Sequence, residues 1–77
     1  MAARHVMVHF TVYNKPRDYP DEVVVRRWFI EPGKPVIDPV IWKIAKTLEE
    51  ARRSIPPDKH NIGRMPSDDP CIVETWV

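Results

Sequence analysis

The chain has 77 residues, with twelve Lys and Arg against eleven Asp and Glu, and a formal net charge of +1. One small domain spanning residues 1–77 is expected, burying only about 60–65% of the surface its unfolded chain exposes. So even a charge balance provides no overall field toward nucleic acid or an anionic membrane, one cysteine excludes a disulfide within the chain, and no apolar run approaches a membrane span.

The opening "MAARHVMVHF" has no apolar stretch long enough for a signal peptide. A cytoplasmic protein is therefore expected. "RHVMVHFTVYN", residues 4–14, alternates: Val6, Val8, Phe10 and Val12 share one face, and His5, Met7, His9, Thr11 and Tyr13 the other. That is the signature of a half-buried strand. "KPRDYPDE" (15–22) reads as a loop. "VVVRRWFI" (23–30) is a second strand, antiparallel to the first because the connection is short. "EPGKPVIDP" breaks the pattern with three prolines and a glycine.

Asp38 followed by Pro39 reads as a helix start. Ile41, Ile44, Ala45, Leu48, Ala51 and Ile55 then recur at helical spacing, and Pro56-Pro57 ends the run. A rival reading begins the helix at Thr47, because "TLEE" is a capping box. "VIWKIA" would then be a strand. The longer helix is favoured. "KHNIGRMPSDDP" is loop with a short extended piece at Ile62–Met65. "CIVETWV" is the last strand, with Cys71, Val73, Thr75 and Val77 opposite Ile72, Glu74 and Trp76. The expected fold is α+β: a ββαβ domain whose antiparallel-dominated, three-stranded sheet carries one helix on one face.

Arg26 and Arg27 are adjacent in a strand and must point to opposite faces. Val23, Val25 and Phe29 make the better core set, which sends Arg26 and Trp28 to the open face. Arg27 then reaches the rim of the covered face, where Glu49 or Glu50 can pair with it. With Cys71 and Val73 assigned to the core, the open face collects Met7, His9, Thr11, Tyr13, Glu74 and Trp76. Trp, Tyr, Met and Arg on a surface that is normally polar are the types enriched in binding interfaces. Met7, His9, Tyr13, Arg26, Trp28 and Trp76 are accordingly the candidate partner-binding residues. The partner is another protein or a second copy of the chain in a homodimer; loops folded back over the face are the structural alternative.

No catalytic, cofactor-binding or metal-binding residue is expected. His5 and His9 lie about 13 Å apart along a strand, too far to share a metal. Ser54 and Ser67 lack a nucleophile context, and Cys71 reads as a packing residue. Asp68 and Asp69 read as turn formers before Pro70. Two glycines leave no phosphate-cradling loop. The alternative function is a single-stranded nucleic-acid module stacking bases on the same aromatic and basic face, with Lys43, Lys46, Arg52 and Arg53 on phosphates. The near-neutral charge weighs against it. The closing "ETWV" is similar to PDZ-domain ligands, provided it is not already paired in the sheet.

"VYNKPRDYPDEVVVRRW" together with "SDDPCIVETW" resembles a pattern in small uncharacterised bacterial proteins. The resemblance implies a bacterial or phage origin and no activity, cofactor or site residue. It places the chain in the size class of phage-encoded inhibitors, anti-CRISPR proteins among them, which work by covering a partner's functional surface.

Overall fold

The computed structural model describes residues 7–77. The strand positions expected at Arg4, His5 and Val6 lie outside the described residues. Strands β1 (Met7–Asn14) and β2 (Val23–Glu31) form where the alternation places them. They pair antiparallel, with Val8 opposite Phe29, Phe10 opposite Arg27 and Val12 opposite Val25. Pro32 and Gly33 then turn the chain into β3 (Lys34–Ile37), with Glu31 paired to Lys34. Gly33 has φ +97°, the left-handed geometry that a Pro-Gly type II turn requires at its second central residue.

The expected architecture of three strands and a helix is overturned. Among the described residues, six strands form one antiparallel sheet and the single helix is short. The further strands are β4 (Lys43–Ala45), β5 (Asn61–Gly63) and β6 (Ile72–Trp76). Their order is β3-β2-β1-β6-β5, with β4 also on β2.

The long helix from Asp38 is the specific error. β2 is nine residues long, and β3 covers only its Trp28–Glu31 end. β4 covers the other end, pairing Val23–Val25. Between them, Asp38 N donates to Arg27 O at 2.9 Å and Trp42 N to Val25 O at 3.0 Å. The segment 38–45, bent at Pro39, Val40 and Trp42 and extended at Lys43–Ala45, therefore satisfies backbone groups on β2 that a helix would leave open. Asp38 caps no helix; its Oδ1 accepts from Val40 N at 2.9 Å.

The capping box at Thr47 is the true start. Thr47 Oγ1 accepts from Glu50 N at 3.1 Å, and α1 runs Leu48–Arg53. Ala51 and Ile55 join Phe10, Val12, Val23, Val25 and Ala45 in the core, with Val8, Leu48 and Trp76 against them.

β6 meets β1 through an irregularity between Val12 and Tyr13. Phe10 faces Trp76 and Val12 faces Glu74, while Tyr13 faces Ile72. Directly paired residues share a sheet face. Glu74 and Trp76 therefore lie on the helix-covered face, not the open one as expected, and Thr75 stands beside Thr11 on the open face. Glu74 is 3% exposed yet ionically satisfied. Arg52 reaches down from α1 to give it two hydrogen bonds, at 2.6 and 3.0 Å, and Trp76 Nε1 gives a third at 2.6 Å.

Candidate aromatic groove on the open sheet face

The two arginines of β2 part as the pleat demands. Arg27 takes the helix-covered side, where its partner is Asp38, at 2.6 and 3.0 Å, rather than Glu49 or Glu50. Its guanidinium also lies 4.9 Å from the Phe29 ring centroid and 5.0 Å from that of Trp42. Trp42 packs edge-on against Phe10 and donates its indole N–H to Ser54 O at 2.9 Å, which fastens the 38–46 segment over the core.

Arg26 takes the open side and donates to Asp18 Oδ2 at 3.0 Å. That bond draws the β1–β2 loop back toward one end of the open face, where Val24 is fully buried. The rest of the face stays open as a groove of about 400 Å³, lined by His9, Thr11, Tyr13, Trp28, Ile30, Pro35, Asp68, Ile72 and Thr75. Its floor comes from β1, β2 and β6. Pro35 of β3 stands on one side and Asp68, from the turn before β6, on the other.

Of the residues singled out from sequence, the structure brings His9, Tyr13 and Trp28 together in this groove. Met7 and Arg26 share the face but do not line the groove; Met7 is 59% exposed. Trp76 is on the opposite face, against the core. Thr11 and Ile30 were readable, since they keep the two-residue phase of His9 and Trp28. Pro35, Asp68, Ile72 and Thr75 were not, because turns and the β1–β6 irregularity bring them in.

The electrostatics follow from burial. Burial, with the Lys59 ammonium adding to it, lowers the His9 pKa below the ordinary imidazole value. Its Nε2 is buried without a hydrogen-bond partner among the described residues, so a second proton there would be costly. Burial raises the Tyr13 phenol; Arg26 and Trp28 oppose the rise, and Asp69 and Asp68 add to it. Burial likewise raises the Cys71 thiol, which suits a packing residue better than a nucleophile.

Among the described residues, no group of three or more His, Cys, Asp or Glu side chains is placed to hold a metal ion. No described helix is long and apolar enough to cross a membrane. The final residues are spent in the sheet: Trp76 pairs with Phe10, and Val77 exchanges two backbone hydrogen bonds with His60, at 2.8 and 2.9 Å. "ETWV" is therefore not a free peptide for another sheet to capture, which removes the PDZ-ligand reading. No family model matches the chain, and no curated protein or solved structure is similar to it.

Proposed function

We propose that this chain is a non-catalytic protein-binding domain that works through the groove on its open sheet face. The observation that carries the reading is an open groove lined by Tyr13, Trp28, Ile30, Ile72 and Pro35 together with a few polar groups. Such a mix of apolar bulk and sparse hydrogen-bonding groups is what binding pockets and hot spots share.

The face is a better binding surface than the sheet edges. β3 presents Lys34 and Pro35, β4 is three residues long, and β5 ends at Gly63 with φ +75°. Short edges carrying Lys and Pro are poor templates for an added strand. The single-stranded nucleic-acid alternative is weaker, because no Lys or Arg among the described residues lines the groove. An inhibitor of the anti-CRISPR kind would use the same surface to cover a partner.

The test is capture of interacting proteins by the wild-type chain, Tyr13→Ala, Trp28→Ala and a control, Met65→Ala, with each fold checked by circular dichroism. Partners held by wild type and Met65→Ala but lost with both groove variants support the reading. An unchanged set of partners across folded variants refutes it. Light scattering over a concentration series separates a foreign partner from a second copy of the chain. Binding that collapses with modest salt would point to phosphate contacts instead.

A further inference from the structure

We infer that the groove seats an arginine side chain presented by the protein partner; this rests on the binding role proposed above. Among the described residues its lining includes one formally charged side chain, Asp68, together with the aromatic side chains of Tyr13 and Trp28. Asp68 is held by its own turn. Its Oδ2 accepts from Met65 N at 2.9 Å, its N–H donates to Met65 O at 3.0 Å, and its carbonyl accepts from Arg64 at 3.3 Å. Oδ1 has no hydrogen-bond partner among the described residues, so a fixed carboxylate oxygen remains for a guest.

The cations nearby do not fill this role. Arg26 is bonded to Asp18, and Lys59 Nζ donates to Val8 O at 2.8 Å; neither lines the groove. Arg64 is engaged with the Asp68 carbonyl and lies outside the lining. His9 is held toward its neutral form, so it adds no charge against a cationic guest.

The opposite face of the same sheet displays the completed arrangement. There Arg27 lies about 5 Å from two aromatic ring centroids, those of Phe29 and Trp42, with Asp38 bonded to its guanidinium. The groove likewise has two aromatic side chains and an aspartate in its lining. Guanidinium suits such a seat better than ammonium, because it is planar, weakly hydrated and able to stack. A glutamate or phosphate guest would meet Asp68 as a like charge.

The experiment uses the full chain labelled with ¹⁵N and the capped tripeptides Ac-Gly-Arg-Gly-NH₂, Ac-Gly-Lys-Gly-NH₂, Ac-Gly-Trp-Gly-NH₂ and Ac-Gly-Glu-Gly-NH₂. The readout is the Trp28 indole N–H resonance, assigned with Trp28→Phe. The arginine peptide is expected to move it with a Kd of the order of millimolar, the range open to a single side chain. Asp68→Asn keeps an oxygen for Met65 N and is expected to weaken that binding about threefold to fivefold, the scale of a partly exposed ion pair. Equal binding of the arginine peptide by wild type and Asp68→Asn overturns the inference. A response to the tryptophan or glutamate peptide without one to arginine also overturns it, and leaves the groove as a binding surface. No response to any peptide at about 50 mM, well above such a Kd, overturns the inference and counts against the groove itself.

Discussion

Removing the positive partner of Glu74 tests the most consequential polar contact of the fold. Glu74 is buried on the helix-covered face, where Arg52 gives it two side-chain hydrogen bonds and Trp76 another. Breaking a fully buried ion pair from one side costs about 3–5 kcal/mol, and an exposed pair is worth about 0–1. Arg52 stands between, with its side chain 46% exposed while that of Glu74 is 4% exposed. Trp76 still donates to Glu74 when Arg52 is gone, and water can reach the vacated side. Arg52→Met, which keeps the stem, is therefore expected to cost about 2 kcal/mol. A domain of this size has about 4–12 kcal/mol in all. With a urea slope of about 1 kcal/mol/M, the midpoint should fall by about 2 M.

The effect should depend on pH. In the wild type the Arg52 hydrogen bonds, against the opposing pull of burial, hold the Glu74 carboxyl below its ordinary value. Its stabilising contribution is present above the unfolded carboxyl pKa and is lost as pH falls through the lower folded value. In Arg52→Met only the Trp76 and Asn61 hydrogen bonds still oppose burial, so the downward shift of Glu74 shrinks and with it the stability this carboxylate contributes near neutrality. The gap between the two proteins should be widest near neutrality and narrow toward about pH 3, below the unfolded carboxyl pKa. Urea unfolding followed by tryptophan fluorescence at both pH values reads this directly. A deficit under about 0.5 kcal/mol at neutrality, within the range of an ordinary surface pair, refutes the argument. So does a deficit that does not change with pH.

Three other outcomes are expected. Trp76→Ala should destabilise the fold by about 2–4 kcal/mol in chemical unfolding, because it removes a side chain packed on the core and a donor to Glu74; a near-neutral result would return Trp76 to the binding candidates. Thr47→Ala should cost about 1 kcal/mol through the lost cap on Glu50 N, with Thr47→Ser recovering most of it. His9, whose folded pKa lies below its unfolded value, should make the domain less stable as pH falls below about 6.5; His9→Asn should flatten that part of the melting-temperature profile, and an unchanged slope would show that another group causes it.

Local pattern made several parts of this molecule readable. The alternation in β1 and β2 placed both strands, and it sent Arg26 and Trp28 to one face and Arg27 to the other. The Thr47 capping box was legible too, but it competed with an apolar spacing from Ile41 to Ile55 that fits a longer helix. Ile41, Ile44 and Ala45 fit that spacing and a short strand alike, because brief apolar runs do not separate the two periods. The open edge of β2 decided between them by offering hydrogen bonds along Val23–Val25. β3 escaped notice, and β5 is anticipated only as a short extended piece at Ile62–Met65, for a related reason: at four and three residues, one of them containing Pro35, they exist through their partners rather than through their own propensity.

Half of the groove was visible in the same way. His9, Thr11, Tyr13, Trp28 and Ile30 follow from the pleat of two strands. The phase of β6 was not legible, since alternation says which residues share a face and not which face that is. The sequence by itself determined the two long strands and the break in pattern at 31–39, because each depends on neighbours along the chain. Tertiary structure alone decided the fates of Glu74, Trp76 and Asp68. The shift between β1 and β6 put Glu74 beneath Arg52, sent Trp76 to the core and left Thr75 on the open face, while the turn before β6 set Asp68 at the groove. Those placements depend on a register between distant strands, which a period of two cannot encode.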